Sequence, residues 1–148
     1  MEKFTPTPLR GFVIGSIIYL LGIYFESHPV GHVLMRVQYE VPGEDYAPIP
    51  DISVVLHTQG TFAWDAPIPF MPALAIEIQS PAQSDREMTD KAGYYLKHGA
   101  QMVWLLYPDR KLVEVLTPTD RRLLTTDQTL DGGTLLPGFS ADVRGLFP

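Results

Sequence analysis

At 148 residues the chain is one domain's worth of sequence, and 45% hydrophobic with 19% charged residues is the balance of a globular protein with a single good core. The formal charge of −6 (11 Lys and Arg against 17 Asp and Glu) argues against a domain held on nucleic acid by bulk electrostatics, but leaves room for an enzyme whose few basic side chains line one groove. No cysteine is present, which excludes a disulfide framework, a thiolate metal site and a cysteine nucleophile.

Thr7-Pro8 reads as an N-cap followed by proline at the first helical position, opening a helix to about Glu26 that ends before Pro29. The apolar run 12–25 is shorter than the about 20 residues a bilayer crossing needs and has no cleavage signal, so it predicts a buried core helix and a cytoplasmic protein off the membrane. Gly11, Gly15, Ser16 and Gly22 cost helix propensity, which points to close packing against a sheet or a second subunit. His28 and His32 flank Pro29 and Gly31, which forbid the helical face a zinc pair needs; a turn is expected.

Residues 33–41 alternate strictly, with Val33, Met35, Val37, Tyr39 and Val41 opposite Arg36, Gln38 and Glu40, and predict a half-buried strand. A second strand follows over 51–56, opened by Asp51. The connection 57–72, rich in proline and aromatics (Phe62, Trp64, Phe70), reads as a flap packed over the sheet or a partner surface. A third strand over 73–79 carries Glu77. Ser84 and Glu87 form a capping box for a helix that buries Met88, Ala92, Tyr95 and Leu96 and stops at Gly99. The apolar run 102–107 completes a strand–helix–strand crossover. Strands over 112–116 and 121–125 form a hairpin, and a short strand and a last helical turn close the chain.

One acid in a buried strand costs several kcal/mol unless paired, protonated or metal-bound. Asp51 opens one strand, Glu77 and Gln79 share a face of another because strand side chains repeat every second residue, and Lys91 sits on the following helix. Two carboxylates are hard oxygen ligands suited to Mg²⁺, and a nearby lysine suits an attacking water or a charged phosphate. Bland readings compete. Asp51 has a second reading as a backbone cap at a strand start, Glu77 as a buried acid paired with a base, and Lys91 as a surface partner of Glu87 four residues earlier. Ser80 and Ser84 lack a Gly-x-Ser-x-Gly elbow and read as caps, His57 as a solvated strand end, and no Gly-rich phosphate loop is present.

The segments Pro50-Asp51-Ile-Ser-Val-Val, Ala75-Ile-Glu77-Ile-Gln-Ser-Pro81, Asp90-Lys91 with Tyr95 and Gly99, Val103-Trp104-Leu-Leu and Leu136-Pro-Gly-Phe139 resemble the Uma2 family, bacterial domains with the PD-(D/E)XK, restriction-endonuclease-like fold. The resemblance runs from about Val33 to the C-terminus. It implies an α/β fold, a mixed β-sheet flanked by helices, in a single domain over 1–148. It makes Asp51 the motif aspartate and Glu77 the motif acid, with the motif lysine displaced onto the helix at Lys91 and Gln79 at the usual lysine position. It also implies an N-terminal hairpin, absent here, and a helix opening with histidine, where this chain has Arg10. The function so implied is Mg²⁺- or Mn²⁺-dependent cleavage of DNA, with Asp51 and Glu77 as metal ligands and Lys91 and Gln79 completing the site; the apolar N-terminal helix and the aromatic 57–72 loop point to a homodimer. The alternative is a non-catalytic homodimeric binding domain that keeps the nuclease fold.

Overall fold

The computed structural model describes residues 6–148. Helix α1 spans Pro8–Ser27, with the Thr7 side chain accepting from the Arg10 amide at 3.2 Å and proline in the first turn, where its missing N–H costs nothing. Its buried positions, Arg10, Val13, Ile17, Leu21 and Tyr24, recur every three or four residues and form one stripe. The glycines expected to pack against the sheet do not: a Cβ at Gly11, Gly15 or Gly22 would meet nothing within 4 Å.

Six strands follow in one sheet, β1 (Gly31–Met35), β2 (Ile52–Leu56), β3 (Leu74–Ile78), β4 (Met102–Tyr107), β5 (Leu112–Leu116) and β6 (Arg121–Leu124), in spatial order β1 to β6. Only β3 and β4 run parallel, because helix α2 (Asp85–Lys97) carries the chain back between them; every other pair is antiparallel. Strands β7 (Thr129–Asp131) and β8 (Ser140–Asp142) pair separately, and a 3-10 turn at Val143–Leu146 ends the fold.

Alternation sorts the sheet into two faces. Ile52, Val54, Ile76, Ile78, Trp104 and Val113 pack with Val13, Ile17 and Leu21 of α1 and with the C-terminal Val143 and Leu146. Ala75, Val103, Leu105 and Tyr107 on the other face pack with Met88, Ala92 and Tyr95 of α2. Each fully buried aliphatic side chain contributes about 1.5–3 kcal/mol, so both helices are fixed by packing more than by propensity.

The strand expected over 33–41 stops at Met35. Arg36 adopts φ 55°, in the left-handed region, and breaks the alternation. Val33 therefore packs towards α1, while Val37 joins Leu34, Tyr39, Val55 and Ile68 in a third cluster. Tyr39 then makes an isolated parallel bridge to Ile68. The 57–72 connection is stitched at its base by Gln59, whose Oε1 accepts from the Leu56 and Ala73 amides at 2.9 and 3.1 Å. Phe62 and Phe70 fold over this cluster, as a flap on the sheet should.

Candidate active site

Asp51 and Glu77 meet through strand register. Strands β2 and β3 pair antiparallel with Ile52 opposite Ile76, so the residue just before β2 stands beside the residue just after Ile76. Both acids lie at one end of the sheet and both are buried, at 3% and 2% exposure. The Ile78 amide faces β2 where no strand residue remains to pair with it, and Asp51 Oδ2 accepts it at 2.8 Å. Asp51 Oδ1 accepts from Arg10 Nη2 at 2.6 Å, and Arg36 Nη1 stands 3.6 Å from the same oxygen.

Helix α2 supplies the other half. Lys91 and Tyr95 are four residues apart and therefore share a helix face. Tyr95 donates its hydroxyl to Glu77 Oε2 at 2.5 Å, and Lys91 Nζ lies 3.8 Å from that oxygen, an ion pair too long for a hydrogen bond. Burial pushes the Glu77 carboxyl up to about 8; the charge of Asp51 and a hydrogen bond between the two side chains push the same way, while Lys91 and Tyr95 pull it down. The Tyr95 phenol is raised by burial and by the charge of Glu77, so it stays a donor.

Of the four residues singled out in the sequence, three converge. Gln79 is held elsewhere: its amide donates to the Gln83 carbonyl at 3.1 Å and to Asp85 Oδ1 at 2.8 Å, tying the end of β3 to the start of α2. Glu87 closes the capping box with Ser84 through its Oε1, while Lys91 reaches inwards to Glu77. His57 stands at the far end of β2 from Asp51, its ring 5.0 Å from that of His32.

Arg10 and Arg36 are the members that sequence reasoning did not assign. Arg10 left a signal: it is the one charged residue between Leu9 and Phe25, on the buried stripe of an apolar helix, and a desolvated guanidinium needs a carboxylate. Arg36 left none, because it reads as the outward side of a strand.

The donor set suits a hard divalent cation. Two carboxylates from opposed strands match Mg²⁺, which keeps most of its shell for water and phosphate. The raised Glu77 carboxyl marks an acid whose charged form is disfavoured by burial first and by the neighbouring Asp51 second. Among the described residues no group of three or more His, Cys, Asp or Glu assembles, so these two are the carboxylates the site offers an ion.

A six-stranded mixed sheet with one helix on each face and paired acids at a strand end is the restriction-endonuclease-like fold. The chain belongs to the Uma2 family, whose model, described as "Putative restriction endonuclease", matches residues 3–144. Its fold is shared with a crystal structure from Anabaena variabilis titled as a putative nuclease belonging to DUF820, at TM-score 0.85 and 22% identity over 99% of this chain and 84% of that one. No curated protein matches the chain.

Proposed function

We propose that the protein is a metal-dependent endonuclease hydrolysing DNA phosphodiester bonds at the Asp51–Glu77–Lys91 cluster. One observation carries the reading: two buried acids stand side by side, Asp51 just before β2 and Glu77 on β3, and a lysine from α2 lies 3.8 Å from Glu77. Asp51 and Glu77 would hold Mg²⁺ or Mn²⁺, an ion that when bound stabilises charge on phosphate and makes water a stronger nucleophile. Tyr95 fixes Glu77 Oε2 and keeps that carboxylate aimed at the sheet end. Lys91 is about a third exposed, so of the three it is the one that water and a phosphate reach first; it orients either and balances the charge that develops. Arg36, exposed at the mouth, offers a second cation to the DNA backbone. Gln79 acts at a distance, bracing the α2 N-terminus that carries Lys91.

The test pairs calorimetric titration with Mn²⁺ and Mn²⁺-dependent plasmid nicking. Wild type should bind and nick, and Glu77→Ala should do neither. Equal heats from the two proteins would remove Glu77 from any metal site and end this reading.

A homodimer through α1 is proposed alongside. No charge occurs over residues 11–25, and Phe12, Tyr19 and Ile23 are exposed at helical spacing beside glycines that nothing among the described residues covers. By length and composition α1 also passes as a membrane span. Withdrawing it into a bilayer would strip Val13, Ile17 and Leu21 from the core and Arg10 from Asp51, which supports a partner surface instead. Sedimentation of wild type against Tyr19→Asp decides: a wild-type monomer would end the dimer proposal.

A further inference from the structure

Both oxygens of Asp51 already carry a donor. Oδ2 is committed to the Ile78 amide, and giving it up would leave a buried N–H at the sheet end unsatisfied. Oδ1 is therefore the oxygen open to exchange, and it holds Arg10 Nη2 at 2.6 Å in a pair with both side chains about 95% buried. We infer that Arg10 is an internal stand-in cation at Asp51, so that divalent metal binding at this site is an exchange in which Arg10 must release Oδ1. The inference rests on the metal-site reading above and adds a positioning residue to it.

Three features support exchange over a purely structural anchor. A guanidinium and a divalent ion on one carboxylate oxygen are like charges a few ångströms apart in a desolvated site, where repulsion is far less screened than in water. Arg10 reaches Asp51 from 41 residues away, out of the first turn of α1, a long side chain whose backbone is pinned separately by Thr7. Arg36 stands 3.6 Å from the same oxygen and is largely exposed, so the place that Arg10 fills is the place where positive charge collects. The metal-free protein thus stays folded by supplying its own cation, and the cost is weak affinity for the ion.

The test is calorimetric titration of Mn²⁺ into metal-free wild type, Arg10→Gln and Arg10→Lys, with thermal melts of each with and without Mn²⁺. Arg10→Gln removes the competing charge and should bind Mn²⁺ at least about tenfold more tightly, melting lower than wild type without the ion and recovering with it. Arg10→Lys keeps the charge and should stay near the wild-type affinity. Wild type that binds Mn²⁺ while Arg10→Gln binds no more tightly overturns the exchange and leaves the metal site standing. No binding by any of the three ends both. Should Arg10→Gln fail to fold, the side-chain N–H resonances of Arg10 in wild type decide: they should shift in step with Mg²⁺ saturation, and resonances unmoved at saturation overturn the inference.

Discussion

Replacing Glu77 with glutamine should make the metal-free protein more stable in mildly alkaline buffer and leave it unchanged in acid. Glu77 is buried beside Asp51, and its carboxyl is pushed from an ordinary 4.5 up to about 8 by burial first and by Asp51 second. A raised carboxyl pKa favours the folded state fully below the unfolded value, and the advantage is lost as pH climbs through the folded value. At about 1.36 kcal/mol per pKa unit, ionised Glu77 costs roughly 3–5 kcal/mol above that range, as a ceiling. Glutamine is the same size, stays neutral and can still accept the Tyr95 hydroxyl, so it keeps the packing and loses the penalty. Urea denaturation of both proteins in chelator, from acid to alkaline buffer, measures the difference. It should begin near zero and grow to a few kcal/mol in favour of Glu77→Gln, or several degrees in Tm at about 2–4 °C per kcal/mol. Added Mn²⁺ should then stabilise wild type alone. A difference independent of pH, or an alkaline loss in the variant, would show that Lys91 and Tyr95 compensate ionised Glu77 fully and refute a burial penalty on its charged form.

Lys91→Ala should lower Mn²⁺-dependent nicking by roughly 10²-fold or more while costing under about 1 kcal/mol in urea, since the lysine is partly exposed and its pair is long. Persistent nicking would reduce Lys91 to a structural counter-charge. Ser84→Ala should cost about 1 kcal/mol in the same denaturation and leave cleavage near wild type, because Met88, Ala92 and Tyr95 still dock α2 on the sheet. A cleavage defect there would show that the position of Lys91 depends on the cap.

What was legible in the sequence is what local chemistry decides. The Thr7-Pro8 start, the Ser84–Glu87 box and the buried stripe of α2 involve residues three or four apart, and each forms as expected. Alternation over 33–41 misled because a backbone reversal at Arg36 leaves the pattern of apolar residues intact while swapping the faces they reach. Gln79 shares the face of Glu77 only as long as the strand continues, and β3 ends at Ile78. Asp51 and Glu77 stood out singly as acids in apolar strands. Their meeting is a matter of register between β2 and β3, and the partner that completes Asp51 comes from α1. Glycines at 11, 15 and 22 signalled close packing, but only the fold shows that the described residues do not provide it.

The distribution of charge leads to the last expectation. The protein carries −6 overall, yet Arg10, Arg36 and Lys91 gather around two acids at one sheet end. Arg10 is buried on Asp51, so on the proposed function Arg36 and Lys91 are the cations this site would turn towards a phosphate backbone. Counterion release makes log K fall with log salt at a slope of about −0.9 per phosphate neutralised on duplex DNA. Two or three contacts therefore give a slope of roughly −2 to −3, shallow beside that of proteins held by a basic surface. Fluorescence anisotropy of a labelled duplex with the wild-type protein, titrated in Ca²⁺ instead of Mg²⁺ or Mn²⁺ across a range of potassium chloride, reads the slope; Arg36→Ala and Lys91→Ala should each reduce it by about one. Because the acidic remainder repels the duplex, orientation falls to these few groups and to the ion, so affinity without divalent metal should be weak. A slope of about −6 or steeper, unmoved by Arg36→Ala, would place DNA on some other face and detach the acids from the substrate altogether.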